Sequence, residues 1–476
     1  MKIPATADLG LVELRNRSPL VVQLLPTGAV FALRHGPTLL SQLLPGPAED
    51  GLFRLLLRWQ GTAGGGWRPL VGPGLEFAHN GKDAATWTST ADVGLHCTAM
   101  LKLHPQHAAW AWRVRVQNTS AVPLRIDVLH AQDLGLADEG AVRNNEAYIS
   151  QYIDFLPVDD DAFGWTILAR QNQAMAGARH PWLALACATG AEAFCTDGWQ
   201  FFGADHRLTG EPAAVRMASL PSKRLQYEFA LGGLQSRRLE VAPGARGEIQ
   251  FVGRFLADHP AASSPGDLAE LRAVLPAAGL PDAAMPPAAT AVPSLFVTAP
   301  WLHGDRPAES DWTAWFPGER RHEERDAAGH VQSFFHGEDV HVVARDKEAE
   351  IARPHGHVLC SGDLRWIDAG QLGLTCYAAG VFAAQAYLGN PGLARLLPVV
   401  RNALNLVRGG GQRVFVRRGG AWRQLGVPSA FVMTPERCDG STGSGRRRWK
   451  RGFGARAAKQ LRFWNSGWSL DHPASS

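Results

Sequence analysis

The sequence lacks the features that would place it in a membrane or in an oxidising compartment. It contains no stretch near the about 18 uninterrupted apolar residues that a membrane-spanning helix requires. Its first residues, 1–6, lack the charged and then apolar pattern of a secretory signal. Only six cysteines occur in 476 residues, and their wide spacing without a CxxC pair argues against a disulfide framework or a zinc site. We therefore expect a cytoplasmic protein with reduced, mostly buried cysteines and no membrane partner.

A strong net charge is absent too. The formal net charge is only +4, so we expect no nucleic-acid partner for the chain as a whole. The excess is local, because no acidic residue separates Asp439 from Asp471 while arginines and lysines accumulate there. Residues 439–476 are predicted to be a disordered basic tail. Such a tail could bind nucleic acid or a membrane. The interpretation we favour is sequence foreign to the rest of the chain, as a truncation or a shifted reading frame would produce.

No metal-ligand or paired-carboxylate pattern stands out. His355 and His357 have the spacing that places two imidazoles on one strand face, but no third ligand has a recognisable spacing, so no metal site is predicted. Glu323 and Glu324 are adjacent and would point apart on a strand, which argues against a catalytic dyad. Three arginines could meet phosphate or an acidic sugar, with surface salt bridges as the simpler interpretation: Arg320, Arg321 and Arg353.

What is present favours a β-rich protein with more than one core. A chain of 476 residues exceeds one ordinary domain. Residues 110–117 alternate with period two, which places Trp110 and Trp112 on one face and Arg113 and Arg115 on the other. Residues 124–130 repeat the pattern after a turn, and residues 20–25 and 29–33 are also predicted strands. The pattern is typical of consecutive half-buried antiparallel strands in a sandwich.

The segment 143–154 collects amides, carboxylates and phenols where a packed core would carry aliphatics. Sugar hydroxyls both donate and accept hydrogen bonds, and the C–H faces of a sugar pack on aromatic rings. The segment predicts a sugar-binding surface, with a polar surface loop as the alternative. Its candidate residues are Asn145, Glu146, Gln151, Tyr152 and Asp154. We expect this cluster on an exposed or cleft-facing edge, because burying unpaired carboxylates is costly.

A second candidate set lies at residues 197–200. Asp197, Trp199 and Gln200 combine an aromatic face with polar groups, and we assign Asp197 and Trp199 to substrate binding. The alternative for Trp199 is a buried structural tryptophan. Phe201 and Phe202 are predicted to lie partly in the core.

Several short segments share their order and spacing with a known group of enzymes. They include residues 196–203 (TDGWQFFG), 226–231 (QYEFAL), 319–324 (ERRHEE), 353–357 (RPHGH) and 428–431 (PSAF). Together they resemble the amino-terminal region of the large glycoside phosphorylases, which include the cellobiose-phosphorylase-like proteins and the β-oligoglucan phosphorylases. The likeness runs from about residue 110 to 260 and resumes from about 311 to 431.

The resemblance implies a mainly β fold: an antiparallel β-sandwich of the galactose-mutarotase-like supersandwich type, followed by a partial second β-rich domain with a helix. We predict a carbohydrate-associated sandwich at 1–260, a helix and Ala/Pro-rich linker at 261–293, and an incomplete second β-rich domain at 294–438. The predicted helices cover residues 268–275 and 374–388.

The resemblance also implies a function. A complete relative would cleave β-glucosides or β-oligoglucans with inorganic phosphate as co-substrate, using an aspartate and phosphate-binding residues in a helical (α/α)6 barrel that follows the β region. We expect this chain to end before that barrel, so we predict no catalytic residue, no cofactor and no phosphorolysis. The expected role is binding of a sugar or β-glucan oligosaccharide.

Two alternatives remain open. One is an aldose-epimerase-like enzyme that uses a histidine base and a carboxylic acid, for which His180 and Glu146 or Glu228 are the candidates. The other is a structural module without a ligand, in which the polar cluster forms a homodimer interface.

Overall fold

The structure is a computed structural model, and the residues that it describes are 10–41, 53–62, 64–89, 94–203, 206, 211–226, 229–275, 299–302, 305–337, 340–344, 374–376, 385–387, 415–425, 429–434, 437–442 and 447–452. The described residues up to 275 belong to one compact unit, and those from 299 onward belong to a second. Within these ranges, no helix is long and apolar enough to cross a membrane.

The first unit is built almost entirely from strands. Its strands are β1 (Val12–Arg15), β2 (Leu20–Leu24), β3 (Val30–His35), β4 (Thr38–Leu39), β5 (Arg54–Gly61), β6 (Gly64–Pro69), β7 (Glu76–His79), β8 (Ala84–Ser89), β9 (Leu95–Leu103), β10 (Ala109–Asn118), β11 (Leu124–Asp133), β12 (Ala137–Asp138), β13 (Ile153–Asp160), β14 (Gly164–Gln171), β15 (Trp182–Cys187), β16 (Ala191–Asp197), β17 (Ala230–Ser236), β18 (Leu239–Val241) and β19 (Arg246–Leu256). Its α-helices are α1 (Glu139–Gln151), α2 (Gly198–Phe202) and α3 (Leu268–Arg272), and its 3-10 helices are Ala213–Val215 and Pro265–Asp267. The predicted strands at 20–25, 29–33, 110–117 and 124–130 are confirmed.

Two sheets organise this unit. The smaller sheet has the order β1-β2-β3-β4-β12. The larger sheet has 14 strands, with the main path β6-β5-β11-β17-β16-β14-β15-β19-β10-β9-β8-β7 and with β13 and β18 attached to β14 and β11. Nearly all pairings are antiparallel; β14 with β16 is a parallel contact at a single residue pair. A core of aliphatic and aromatic side chains from both sheets joins them into a sandwich.

Strand β10 shows how far local alternation determines burial. Trp110, Trp112, Val114 and Val116 all lie in the main core, as the pattern predicts. The opposite face is not uniformly exposed, since Arg115 is exposed but Arg113 is buried. Buried side chains on that side form a second core with the short helix α3. A strand predicted to be half-buried is therefore covered on both faces along part of its length.

A capping box forms at the 3-10 turn that leads into α3. The main-chain N–H of Ser264 donates to Oδ2 of Asp267 at 2.6 Å, and the Ser264 side chain completes a capping box. Leu268 and Leu271 are buried in the second core. The predicted helix at 268–275 is confirmed from Leu268 to Arg272, and a 3-10 turn precedes it.

Replacing Gly253 by alanine should destabilise the first unit by about 1–3 kcal/mol, because overpacking a filled core forces neighbouring atoms to move. A Cβ atom at Gly253 would lie 2.3 Å from the Trp110 indole. Urea unfolding measures the effect. Gly140→Ala is the matched control, since nothing lies within 4 Å of its added Cβ and alanine favours a helix. Equal stabilities for the two variants would contradict the prediction.

The second unit is also rich in strands. Among the described residues its strands are β20 (Trp301–Leu302), β21 (Arg320–Arg325), β22 (Val331–His336), β23 (Val340–Ala344), β24 (Leu374–Cys376), β25 (Gln385–Tyr387), β26 (Phe415–Arg418), β27 (Ala421–Leu425), β28 (Ala430–Thr434), β29 (Arg437–Thr442) and β30 (Arg447–Gly452). The helix described in this unit is α4 (Glu309–Trp315). The sheets are β20-β27-β26, β21-β22-β23-β28-β29-β30 and β24-β25. Trp312 and Phe334 are central to the core of this unit.

Two expectations differ from the structure. The helix predicted at 374–388 is wrong where the residues are described, because β24 and β25 form an antiparallel pair there. A short apolar run cannot distinguish a buried strand from a helix. The predicted disordered tail begins at 439, yet β29 and β30 pair from Arg437 to Gly452. Main-chain pairing needs no apolar period, and charged side chains are common on edge strands. Residues 453–476 lie outside the described part.

Candidate functional site

The polar segment 143–154 folds as the end of a helix followed by a strand, and not as a loop. Val142 and Ile149 are seven residues apart, so they share one face of α1. That face packs on Ala32 and Leu39 of the smaller sheet. The helix ends at Tyr152, and β13 begins at the next residue. Asn145 and Glu146 lie within α1, but their side chains fall outside the described part.

Tyr148 and Tyr152 form an exposed aromatic pair at the end of α1. Their side chains are 44% and 37% exposed, and their ring centroids are 4.9 Å apart in an edge-to-face arrangement. The Tyr152 hydroxyl donates to the Tyr148 hydroxyl at 3.0 Å, and this hydrogen bond raises the pKa of Tyr152. The pair offers both an apolar ring surface and phenolic hydroxyls to solvent.

Asp154, a charged member of the cluster, forms an ion pair with a residue far along the chain. Asp154 is partly buried on β13, and its Oδ1 accepts from Nη2 of Arg224. The only basic residue within the segment 143–154 is Arg143, so this partner comes from elsewhere in the chain. Gln151 is exposed, and its main-chain oxygen accepts from Nε2 of Gln226 at 3.0 Å. Gln151 and Tyr152 are therefore exposed, as expected for an edge, whereas Asp154 is partly buried in its ion pair.

The segment around Leu225 joins the two clusters that the sequence singles out. Arg224 and Gln226 contact Asp154 and Gln151 as described. Between them, the N–H of Leu225 donates to Oγ1 of Thr196 at 2.7 Å, and that hydroxyl donates to the Leu225 carbonyl oxygen at 2.7 Å. Thr196 directly precedes Asp197, so the segment 224–226 contacts both clusters.

Asp197 has a structural role in its own neighbourhood. It is the residue before α2, and its Oδ2 accepts from the Gln200 N–H at 3.1 Å. Its side chain is buried, and burial raises the pKa of its carboxyl group to about 7. The Asp197 Oδ1 has no hydrogen-bond partner among the described residues. Near pH 7 this carboxyl group can therefore carry a proton.

The rest of α2 is mostly core. Phe201 and Phe202, which were predicted to lie partly in the core, are both fully buried on this helix. Trp199 is partly buried and so keeps some surface for contact. Gly198 allows the close approach of α2 to Phe229, because a Cβ there would lie 2.2 Å from that ring.

A buried ion-pair network on the larger sheet was missed by sequence reasoning. Arg58 on β5 donates from Nε and Nη2 to the two carboxylate oxygens of Asp127 on β11, at 2.7 and 2.6 Å. Gln235 donates to Asp127 at 3.0 Å and to Glu192 at 2.7 Å. Its own Oε1 accepts from the Leu220 N–H at 3.0 Å. The network thus links the segment that follows the 3-10 helix Ala213–Val215 to the larger sheet by a hydrogen bond.

A signal for this pair was present in the sequence. Arg58 follows three leucines in β5, and Asp127 stands between Ile126 and Val128 in β11. A lone charge within an apolar strand is costly to bury unless it is paired. Two such charges of opposite sign on neighbouring strands therefore indicate a partnership.

The histidines considered as acid–base or metal candidates are not brought into a reactive cluster that the structure describes. Nδ1 of His180 contacts the Gln171 carbonyl oxygen at 3.0 Å, while the Glu146 side chain and Glu228 lie outside the described part. His355 and His357 also lie outside it. The described residues contain no group of three or more His, Cys, Asp or Glu positioned to hold a metal ion. Cys97, Cys187 and Cys195 are buried, as expected.

Comparison with known proteins places this arrangement in a class. Residues 316–438 match the glycoside phosphorylase supersandwich domain, and the described part of the fold is mainly β. Solved structures with similarity include a putative aldose 1-epimerase from Escherichia coli K12, at 8% identity over 52% of this chain and 98% of that one, with a TM-score of 0.32. A bacterial glucoamylase in complex with acarbose has 9% identity over 56% of this chain and 34% of that one, with a TM-score of 0.30. These low scores carry no functional argument.

The family follows from the first unit. Residues 23–253 match the SOGP N-terminal domain. The chain is 31% identical over 408 residues to a 1,2-beta-oligoglucan phosphorylase of Listeria innocua, covering 85% of this chain and 36% of that protein. This chain belongs to the SOGP group of glycoside phosphorylases, whose amino-terminal and supersandwich domains it carries. It spans about a third of the length of the relative.

Proposed function

We propose that this chain binds β-linked glucose oligomers as the non-catalytic, carbohydrate-associated portion of a glycoside phosphorylase. The name of the relative indicates β-1,2-linked glucans as the first ligands to test. The observation that carries the proposal is the exposed pair Tyr148 and Tyr152 beside Asp154 and Gln151. The cytoplasmic location and the homodimer stay predictions.

The chemistry of this surface suits a sugar. The described residues expose three large hydrophobic side chains, and two of them are Tyr148 and Tyr152. Their rings can pack on sugar C–H groups, while the phenols, the Gln151 amide and the Asp154 carboxylate can exchange hydrogen bonds with hydroxyls. The ion pair with Arg224 holds the Asp154 side chain in place. Little reordering is then needed on binding, which favours affinity.

The other predicted sugar contacts lie on α1, on α2 and at the cap of α2. Asn145 and Glu146 are on α1, between one and two turns before Tyr152. Trp199 retains partial exposure on α2. Asp197 is buried as the α2 cap, so a direct sugar contact by it would require a local opening. All four stay proposed contacts.

Tyr152→Ala should weaken binding of a β-1,2-linked glucotetraose about tenfold, because the loss of one aromatic contact of about 0.5–1.5 kcal/mol approaches the 1.4 kcal/mol that corresponds to a factor of 10. Asp154→Ala should weaken it by a similar factor. Isothermal titration of the purified chain measures both. Melting temperatures should change little, since a surface ion pair contributes at most about 1 kcal/mol.

Asp159→Ala is the matched control, because Asp159 is an exposed aspartate on the same strand, β13. Unchanged affinity in both Tyr152→Ala and Asp154→Ala would remove this surface from the proposal. A change of oligomer size in Tyr152→Ala on gel filtration would instead favour the interface alternative. Adding phosphate and assaying glucose 1-phosphate tests the non-catalytic part of the proposal, since turnover by this chain would overturn it.

A further inference from the structure

An open groove runs along one edge of the larger sheet, in the first unit. It lies between the hairpin β5–β6 and the segment 211–218, and its volume is about 550 Å³. Small-molecule sites typically have volumes of about 300–1,000 Å³. Its lining includes Gln60, Trp67, Arg125 and Glu211. None of these residues belongs to the surface at the end of α1.

The floor of the groove consists of two rows of side chains that run across the strands. Residues paired in antiparallel register point to the same face of a sheet. Trp67, Arg58 and Asp127 are paired in one row. Gln60 and Arg125 are paired in the next row, two residues further along each strand. The two rows therefore share one face, with an indole beside an amide and a guanidinium.

The wall of the groove is held in place before any ligand arrives. Nη1 of Arg58 donates to the main-chain oxygen of Ala214 at 3.1 Å and also to that of Met217. Nε1 of Trp67 donates to Oε2 of Glu211 at 3.3 Å. These hydrogen bonds join the segment 211–218 to strands β5 and β6. A preformed groove avoids part of the ordering cost of binding.

The charges that line the groove are largely matched. Four arginines line the groove: Arg58, Arg125, Arg216 and Arg238. Arg58 is paired with Asp127, Arg216 lies 3.0 Å from Glu211, and Arg238 lies 3.4 Å from Glu192. Arg125 stands opposite Glu240 in the strand register. Because three of the four arginines have a carboxylate within 4.0 Å, a neutral ligand fits better than an anion. Gln60 and Arg125 are exposed and can exchange hydrogen bonds with hydroxyl groups.

We propose that this groove is a second binding site for a neutral β-linked glucan chain, with Trp67 as the stacking platform and with Gln60 and Arg125 as the hydroxyl-binding pair. The site deepens the proposed function, since it rests on the chain being a β-glucan binder. It also gives one chain two separated contacts with the same polymer. Two such contacts raise the overall affinity for a long glucan through the effective concentration of the second site.

The test is titration calorimetry of the whole chain with β-1,2-linked glucotetraose, with an α-1,4-linked tetraose as the ligand control. The double variant Gln60→Ala/Arg125→Ala should lose one of two binding sites, or bind at least about tenfold more weakly there. The matched control is Gln117→Ala/Arg246→Ala, another Gln–Arg pair in direct cross-strand register on the same sheet. It should bind like the unaltered chain.

The variant Tyr152→Ala separates this proposal from the preceding one. Two sites, of which each variant removes one, support both. A single site that only Gln60→Ala/Arg125→Ala removes supports the groove and overturns the tyrosine surface. A titration that Gln60→Ala/Arg125→Ala leaves unchanged overturns the groove, whatever Tyr152→Ala does. Absence of binding to the unaltered chain overturns both.

Discussion

Replacement of Arg58 by alanine should lower the free energy of unfolding of the first unit by about 3–5 kcal/mol, because removing one partner of a buried ion pair leaves an uncompensated charge. Asp127 is only 5% exposed and would keep only Gln235 and, at 3.6 Å, Arg238 as nearby partners. The segment 211–220 would also lose the hydrogen bonds that Arg58 donates to the main-chain oxygens of Ala214 and Met217. Urea unfolding should show the loss of stability, and limited proteolysis should show earlier cleavage in this segment.

Arg115→Ala provides the comparison. Arg115 is an exposed arginine in an ion pair with Glu248 on the same sheet, and such surface pairs contribute about 0–1 kcal/mol. The paired replacement Arg58→Met/Asp127→Leu should recover most of the lost stability, because it removes both buried charges. A loss of unfolding free energy below about 1 kcal/mol in Arg58→Ala would mean that the network does not stabilise the position of the segment.

Acid should destabilise the first unit through two buried histidines, with one buried carboxyl group acting in the opposite direction. Burial lowers the pKa of His130 to about 3, and burial together with the nearby Arg54 lowers that of His206 to about 3. Burial raises the pKa of Asp197 to about 7. The ordinary pKa values, which apply in the unfolded chain, are 6.5 for histidine and 3.8 for aspartate.

The sign follows from proton counts between about pH 4 and 6.5. There the unfolded chain binds a proton on each histidine, and the folded chain binds one on Asp197, so unfolding takes up one net proton from these three groups. Stability should therefore rise with pH, by about 1.4 kcal/mol per pH unit. Between about pH 6.5 and 7 only Asp197 differs, so its contribution falls as pH rises.

Two substitutions test this predicted slope of stability against pH. His130→Gln removes one titrating histidine and should cancel the net contribution of the three groups to the slope. Asp197→Asn removes the opposing group and should add about 1.4 kcal/mol per pH unit to the slope. Urea unfolding at half-unit pH steps from 4 to 6.5 measures both against the unaltered chain. Slopes that move in the same direction in the two variants would contradict the assignment.

Much of the fold was predictable because it is encoded locally. The period-two pattern around Trp110 and Trp112 predicted a strand with a core face, since side chains of a strand alternate between the two sides of a sheet. Ser264 and Asp267 form the capping box of the 3-10 turn before α3, and such a box is local because it needs only residues three apart. The short segments at 196–203 and 319–324 indicated the family. The polar composition of 143–154 indicated an exposed surface.

What the sequence did not determine depends on residues that only the tertiary structure brings together. Arg224 reaches Asp154, and Arg58 reaches Asp127, across 70 and 69 residues. No local period encodes such partners, because the order of strands in the larger sheet decides which residues become neighbours. The same order places Trp67, Gln60 and Arg125 on one face and so creates the groove. The sequence by itself determined the strands, their apolar faces and the family, whereas sheet topology alone decided which polar side chains meet.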